Sequence, residues 1–519
     1  MVGPPTGTTR YDRPTTRREA PALQSSGERR INSFASWMDK PLSGPGCALG
    51  WVASAAVFLG LVRLFGGPAY VDAVESVYST WAIAHGHLAC AYPPGTPYHF
   101  AGIGHPIPFI APLWPLVSGG VTALMQIGHN VPFPSSAALG PNCSTALKAM
   151  TQWSSQSGAL TTTMKVGYLC WLPLMAGVVA LLRASGRGRT RWEPAVLIAL
   201  ACVPCVLMPL LDDFHPQDLL AMGLILGGVA CARRDSWVWA GVLLGLAVTS
   251  QQFALLVLAP LFVVAPVHQR IRYAGAAIGA AAMIILPMVV ATSGRALGPV
   301  LIGSGNTPSV GGPLVWELHL HGALLVGVSR VLPIVLAAVL ASWAVRRLGA
   351  AVLQPVPLMA LVATSLGLRL VFEQNLFGYY FMALALSLVL LDAIRGHFRG
   401  QLVAWIALVA IVYDPAPWNF DFRQYLPPVL MLFVLALIVR DALEGRVRWY
   451  LVAWLVFVAL AFGQFPITSL PPRHLLSTPT WLSQLVLVPC GLWLAVDPLL
   501  SLTRSRSVPQ QQATPRPTP

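Results

Sequence analysis

Apolar stretches of about 20 residues follow one another along most of this chain, and short arginine-rich turns separate many of them. A helix needs about 20 apolar residues to cross the hydrocarbon core of a bilayer. Of the 519 residues, 55% are hydrophobic and 10% are charged, a balance that excludes a soluble Rossmann or hydrolase domain as the main body. The pattern predicts an all-α polytopic membrane protein.

The distribution of arginine predicts the topology. We expect roughly fourteen transmembrane helices within residues 47–497. Cytoplasmic loops carry the excess of Lys and Arg, and the basic turns fall on alternate loops of this assignment. They contain Arg183, Arg187, Arg189 and Arg191; Arg233 and Arg234; Arg270 and Arg272; Arg346 and Arg347; Arg395 and Arg399; and Arg440, Arg446 and Arg448.

The two ends of the chain are polar. Residues 1–46 and 498–519 are rich in Pro, Ser, Thr and Arg, which predicts a disordered cytoplasmic head and tail. The first apolar stretch begins too late for a signal peptide. Most of the net charge of +14 therefore sets the orientation in the cell membrane, and we expect no nucleic-acid partner.

Two segments strain this topology. The run 106–125 is long and apolar, but counting it as a span would break the alternation of basic loops, so we predict a re-entrant or interfacial segment. About 30 residues, 237–267, must supply two crossings, Trp237–Ser250 and Phe253–Val267. We therefore predict short helices that are broken around Ser250, Gln251 and Gln252.

Acidic residues collect at the predicted outer ends of the spans. Nine of the 19 acids lie there, with few basic neighbours, so we expect an outward-facing polar site. The acids are Asp72, Glu75, Asp212, Asp213, Asp218, Glu317, Glu373, Asp414 and Asp421, and the basic residues are Arg295, Arg369, Arg423 and Arg473.

The first outer loop, residues 67–163, is far longer than the usual loop of about 4–6 residues. It opens with an amphipathic helical pattern that carries Asp72 and Glu75. Acids that merely complement a helix dipole are the alternative interpretation. The loop also contains Cys90 and Cys143, for which the oxidising compartment favours a disulfide. Its histidines are too scattered to predict a metal site.

Two further outer segments carry chemistry-bearing side chains. Pro216 suits the first turn of a helix, which would bring Gln217 and Asp218 to its positive end. Later, an arginine, an acid and aromatic rings meet where one span emerges and the next re-enters. The candidate binding residues are Asp212, Asp213, His215, Gln217, Asp218, Arg369, Glu373, Tyr379 and Tyr380. A capping loop and an ion pair inside a tyrosine belt are the structural alternatives.

The sequence resembles the GT-C superfamily of membrane glycosyltransferases, in particular the polyprenyl-phosphate-mannose-dependent mannosyltransferases of high-GC bacteria. Three features carry the resemblance: Asp72 after the first span, the stretch 215–221 (HPQDLLA), and the run 240–247 (AGVLLGLA) followed by Gln251, Gln252 and 254–256 (ALL). The segment Gly378–Tyr380 is similar to a later outer motif. Gln251 and Gln252 stand where the family frequently has a lysine.

The resemblance implies an inverting transfer of a sugar, of the mannose or arabinose class, to a lipid or glycan hydroxyl. Asp72 would be the general base and Glu75 the alternative base. Because polyprenyl phosphate is a good leaving group, one base suffices. Arg369, or alternatively Arg423 or Arg473, would stabilise the phosphate, with His215 assisting. We expect no cofactor, with a divalent metal as the disfavoured alternative.

A secondary transporter or a lipid or glycan flippase is the main competing hypothesis, since many spans and a broken helix pair are also typical of such proteins. We detect no internal repeat, and the acids lie at one surface. A non-catalytic lipid-binding membrane protein is the third reading. It predicts that the outer acids can be replaced without loss.

Overall fold

The computed structural model describes residues 35–65, 71–91, 111–127, 159–211, 214–294, 320, 324–325, 327–373, 376–412 and 480–507. These residues are mostly helical, and their single β-type contact is an isolated antiparallel bridge between Pro41 and Thr190. The prediction of an all-α fold is therefore confirmed.

The described helices follow one another along the chain in this order. The first half contains α1 (Gly44–Phe65), α2 (Val71–Ala84), α3 (Leu113–Ile127), α4 (Ala159–Tyr168), α5 (Trp171–Ala184), α6 (Trp192–Ala201), α7 (Pro204–Leu211) and α8 (Pro216–Arg233). The second half contains α9 (Trp237–Ser250), α10 (Leu255–Val264), α11 (Val267–Ala291), α12 (Leu332–Leu348), α13 (Pro355–Phe372), α14 (Met382–Arg395), α15 (Gly400–Val412) and α16 (Thr480–Ser507).

Several helical segments are long and apolar enough to cross a membrane. Within the described ranges there are six, and the pair α6 and α7, bent by 49°, makes up to seven. The six are Gly44–Leu64, Met164–Ala184, Val267–Ala291, Gly327–Leu353, Pro355–Phe372 and Gly378–Arg395. The predicted spans 426–439 and 449–462 lie outside the described residues. The count of fourteen stays a prediction.

The two strained segments fold into short helices. α9 ends at Ser250, Gln251 is extended, and a 3-10 turn, Gln252–Ala254, leads into α10. The break thus falls at the polar residues that the sequence indicates. α3 is also apolar and too short to cross a bilayer alone, as expected for an interfacial or re-entrant segment.

Close helix crossings hold the centre of the bundle together. α8 packs against α5 and α9, and α9 packs along α11. A Cβ added to Gly245 would lie 2.2 Å from the Ala277 carbonyl oxygen, and one added to Gly223 would lie 2.4 Å from the Pro173 carbonyl oxygen. Only glycine permits such backbone contact, which is typical of helix pairs in membranes. Gly245 of the AGVLLGLA run therefore serves packing.

The basic turns gather at one end of the bundle, which we call the basic end. Arg187 donates to the Ile394 carbonyl, and Arg233 donates to the Leu353 carbonyl. These bonds join turns that are about 120 to 207 residues apart in sequence. Since α8 runs from Pro216 to Arg233, its first turn lies at the opposite end of the bundle.

Buried carboxylates neutralise two of the arginines at the basic end. Glu193 is fully buried and accepts hydrogen bonds from Arg183 Nε and Nη2, each 3.1 Å long, and from Trp51 Nε1 at 2.9 Å. Asp392, also fully buried, binds Arg399 Nε at 2.7 Å. These ion pairs link the spans to one another beside the predicted cytoplasmic turns.

The last part of the predicted head has a defined structure. Asp39 pairs with Arg187 and accepts a 2.9 Å hydrogen bond from Trp192 Nε1. The Trp37 ring lies 4.2 Å from the Arg191 guanidinium. The segment is therefore anchored on the turn between α5 and α6. At the other end of the chain, α16 continues to Ser507, ten residues into the predicted tail.

The crossing of α9 and α11 generates a stability prediction. We expect Gly245→Val to lower the melting temperature of the detergent-purified protein, because the new side chain must push two backbones apart, and overpacking costs about 1–3 kcal/mol. Thermal unfolding followed by size-exclusion chromatography measures it. The control is Gly275→Val on α11, where an added Cβ meets no described atom within 4 Å. Equal melting of the two variants would contradict the assigned crossing.

Candidate active site

The first turn of α8 carries the central polar residues of the site. Phe214 has a positive φ of 53° and turns the chain, and the His215 N–H bonds the Pro209 carbonyl. Pro216 then opens the helix, as the sequence predicts. Gln217 and Asp218 follow at 3% and 2% exposure. Asp212 and Asp213 lie outside the described residues.

Two buried oxygens in this turn lack hydrogen-bond partners. The Gln217 amide nitrogen lies 2.8 Å from His215 Nδ1, and Gln251 donates to the Asp218 carboxylate. Among the described residues, Gln217 Oε1 and Asp218 Oδ1 have no hydrogen-bond partner. An unsatisfied buried acceptor costs about 1–3 kcal/mol, so both oxygens suit a ligand that donates hydrogen bonds.

The break between α9 and α10 forms the next wall of the site. Ser250 Oγ donates 2.9 Å to the Gln217 carbonyl, which ties the end of α9 to the first turn of α8. The Phe253 ring, one turn later, lies 5.2 Å from the Arg369 guanidinium carbon. The polar break therefore supplies both a hydrogen-bond donor for the backbone and an aromatic face for a cation.

Arg369, on the last turn of α13, is the centre of the charged part of the site. Its guanidinium lies between Phe253 and Tyr380, 4.2 Å from the Tyr380 ring centre, and Nε donates 2.6 Å to Glu373 Oε2. Its side chain is 15% exposed and that of Glu373 is 2% exposed. Cation–π contacts and a charge-assisted hydrogen bond fix the orientation of the guanidinium.

A second arginine completes the cluster. Arg330, in the π-helical turn Gly327–Val331, brings Nη1 to 3.1 Å from Glu373 Oε1 and 3.2 Å from Oε2. We call Asp218, Arg330, Arg369 and Glu373 the Arg369 cluster. Its two positive and two negative charges balance, which is the expected state for charges removed from water.

Aromatic rings line the side of the cluster formed by the turn Gly378–Phe381. The His215 ring stacks on Tyr379 at 4.6 Å with an angle of 16° between the planes, and Tyr379 meets Tyr380 edge-on at 4.5 Å. Phe377 contacts both tyrosines. The rings give the site an apolar wall beside its charges.

The structure brings most of the predicted binding residues together. His215, Gln217, Asp218, Arg369, Glu373, Tyr379 and Tyr380 form one continuous set of contacts. The sequence analysis missed Arg330, although a lone arginine inside a predicted span is a signal of function in membrane proteins. Glu317, Asp414, Asp421, Arg295, Arg423 and Arg473 lie outside the described residues.

The helix of the predicted base lies at the same end of the bundle as the cluster. α2 packs against α3 and α4, and α3 contacts α8 and α9. Trp114 Nε1 donates 3.1 Å to Ser76 Oγ, and the Thr80 and Ser118 hydroxyls are 2.7 Å apart, which fixes α2 on α3. Asp72 belongs to the first turn of α2; its side chain and that of Glu75 lie outside the described part.

Cysteines and metal ligands add little to the site. Cys90 is disulfide-bonded, while Cys143 lies outside the described residues, so their pairing stays a prediction. Among the described residues, no group of three or more His, Cys, Asp or Glu side chains is arranged to hold a metal ion.

A comparison with known families agrees with this geometry. Residues 157–373, about two fifths of the chain, match glycosyltransferase family 87. No curated protein matches the chain. The family match supports a membrane glycosyltransferase of the GT-C type. The matched region contains the whole Arg369 cluster, whereas Asp72, Tyr379 and Tyr380 lie outside it.

The pairing within the cluster predicts the effect of removing Arg369. We expect Arg369→Gln to destabilise the purified protein strongly, because breaking a buried ion pair leaves a poorly compensated charge and costs about 3–5 kcal/mol. The decrease in melting temperature relative to the wild type measures this destabilisation. Arg272→Gln, on an exposed arginine of α11, is the control. Unchanged melting of Arg369→Gln would show that the pair contributes nothing to stability.

Proposed function

We propose that this protein transfers a sugar from a polyprenyl-phosphate donor to a lipid or glycan hydroxyl at the outer face of the membrane, with inversion at the anomeric carbon. The observation that carries the proposal is the Arg369 cluster, buried at the end of the bundle opposite the basic turns and contained in the region that matches the glycosyltransferase family. Mannose and arabinose are the sugars to test first.

The depth of the site supports a lipid-linked donor. α9 and α10 contain 14 and 10 residues, so they rise only about 21 and 15 Å, less than the bilayer core of about 30 Å. The break between them, which contacts Gln217 and Arg369, therefore lies at a depth that a phosphate on a membrane-anchored polyprenyl chain reaches. A water-soluble nucleotide sugar has no such anchor.

The charges of the cluster suit the leaving group. When the bond from the anomeric carbon to the phosphate oxygen breaks, the phosphate gains negative charge. Fixed guanidinium groups stabilise such developing charge more than they stabilise the ground state. Arg369, held rigid between two rings, is the group best arranged to do so.

The unpaired acceptors of α8 suit the sugar. Gln217 Oε1 and Asp218 Oδ1 each require a hydrogen-bond donor, and sugar hydroxyls supply donors. A site built to bind a hydroxyl also discriminates strongly against an analogue that lacks it. These oxygens therefore give a physical basis for recognition of the sugar ring.

Asp72 is the proposed general base. Its carboxylate takes the proton of the acceptor hydroxyl while that oxygen forms a bond to the anomeric carbon, and the phosphate departs with the electron pair of the bond that breaks. One displacement of this kind inverts the anomeric configuration. Glu75, one helical turn further along α2, is the alternative base.

A turnover experiment tests the base. The assay follows release of polyprenyl phosphate from labelled polyprenyl-phosphate-mannose, with polyprenyl-phosphate-arabinose in parallel and a membrane-lipid extract as acceptor. We expect Asp72→Asn to lower kcat by about 10²–10⁴-fold, the usual contribution of general base catalysis. Glu75→Gln is the matched control and should retain turnover.

The outcomes separate the hypotheses. Full activity of Asp72→Asn with loss in Glu75→Gln would move the base to Glu75. No release from either donor by folded wild-type protein would contradict the proposed reaction. Donor movement across proteoliposomes without transfer would then identify a flippase or transporter.

Recognition of the sugar gives a separate prediction. We expect Asp218→Asn to lower kcat/KM by about 10- to 100-fold, since a hydrogen bond to a charged group is worth about 1.5–3 kcal/mol. With a donor that lacks the hydroxyl bound by Asp218, the ratio of kcat/KM between the wild type and the variant should be smaller than with the complete donor. We expect this for the hydroxyl at one ring position. If the variant loses the same factor with every deoxy donor, Asp218 does not bind a hydroxyl.

A further inference from the structure

One carboxylate holds both arginines of the cluster. Glu373 Oε2 accepts 2.6 Å from Arg369 Nε, and Arg330 Nη1 lies 3.1 and 3.2 Å from its two oxygens. The Glu373 side chain is 2% exposed, while those of Arg330 and Arg369 are 28% and 15% exposed. An anion bridged by two guanidinium groups in this way is the arrangement that proteins use to bind phosphate.

Arg330 has unused binding capacity. Among the described residues, its buried Nε has no hydrogen-bond partner. The two oxygens of a carboxylate lie in one plane with its carbon, whereas the two non-bridging oxygens of a phosphodiester point out from a tetrahedral phosphorus. Replacement of the carboxylate by a phosphate would let the unpaired N–H find a partner without moving either arginine far.

Glu373 is also well sited to move. α13 ends at Phe372, and Glu373 has extended backbone angles, φ −67° and ψ 141°, so it is not part of the helix. The Asp218 carboxylate lies near enough for the two negative charges to repel each other. Arg330 and Arg369 hold the Glu373 side chain against this repulsion.

We propose that Glu373 occupies the position in which the donor phosphate binds, and that the phosphate displaces it from Arg330 and Arg369. The inference rests on the proposed phosphate-linked donor. The incoming phosphodiester, with one negative charge, replaces the one negative charge of Glu373. After transfer the phosphate monoester leaves the site, and Glu373 returns to the two arginines. Arg330 is thereby a second phosphate ligand.

Binding measurements test the exchange without turnover. Farnesyl phosphate is titrated into the detergent-purified full-length protein by calorimetry, and inorganic phosphate is titrated in a second series. Exchange predicts that Glu373→Gln binds farnesyl phosphate more tightly, on the order of tenfold, because the competing carboxylate is gone. A carboxylate that merely orients the arginines predicts the opposite sign, weaker binding in this variant, and that result overturns the proposal.

Arg330 supplies the second measurement. Arg330→Gln should weaken farnesyl phosphate binding by about ten- to a hundredfold, the loss of one or two charge-assisted hydrogen bonds. Unchanged affinity would remove Arg330 from the site. If Glu373→Gln does not fold, Glu373→Asp replaces it. The shorter side chain binds the arginines less well, so the exchange again predicts tighter binding of farnesyl phosphate.

The control removes an equivalent carboxylate at the other end of the molecule. Glu193→Gln is the same substitution, at a fully buried glutamate bound by Arg183 at the basic end, and it should leave phosphate affinity unchanged. Binding of inorganic phosphate without binding of farnesyl phosphate would identify a site for free phosphate and would contradict a site for the lipid-linked donor. If farnesyl phosphate binds neither the wild type nor the variants while sugar transfer is measurable, the exchange is overturned and the proposed transferase function still stands.

Discussion

Charges inside an apolar bundle must find opposite charges, and this requirement organises both ends of the protein. At the basic end, Glu193 and Asp392 neutralise Arg183 and Arg399. At the other end, Glu373 neutralises Arg330 and Arg369. A buried ion pair contributes little net stability, whereas removing one partner is costly. The pairs therefore fix which helices meet, and the apolar residues then fill the space between them.

Backbone contact supplies the rest of the geometry. Lipid chains are as apolar as leucine, so helices in a membrane associate through close packing. At Gly245 and Gly223 the backbones come within reach of direct contact, which packs α9 on α11 and α8 on α5. α8 also packs against α9, and Ser250 at the end of α9 donates to the Gln217 carbonyl. Packing far from the charges thus determines where the first turn of α8 meets Arg369.

Much of this fold follows from the sequence because the membrane limits the choices. Trp237–Ser250 has the predicted bounds, since Ser250–Gln252 interrupts an apolar run too short for two full spans. α11 begins six residues before its predicted start at Tyr273. The reason is that Arg270 folds back onto the Val263 and Ala265 carbonyls, so a charged residue joins the helix. Hydropathy alone does not contain that contact.

The site was predictable in part for the same reason. In the sequence, His215, Gln217 and Asp218 are polar residues in a predicted tight turn. Arg369 and Glu373 are charged residues at the predicted end of a span. Their meeting with one another depends on the packing of α8 against α9 and of α10 against α13, which sequence spacing does not determine. Arg330 lies in an apolar run that predicts a span, and that pattern does not contain its contact with Glu373, 43 residues later.

A broken helix at membrane depth has a physical cost that the site explains. Polar backbone in a bilayer is tolerated only where protein or a cavity satisfies it. Here the Ser250 hydroxyl donates to the Gln217 carbonyl, and the Gln251 side chain donates to the Asp218 carboxylate. Two continuous spans would satisfy their own backbone and leave the first turn of α8 without these partners. The break therefore belongs to the polar site in which we propose that a membrane-anchored phosphate reacts.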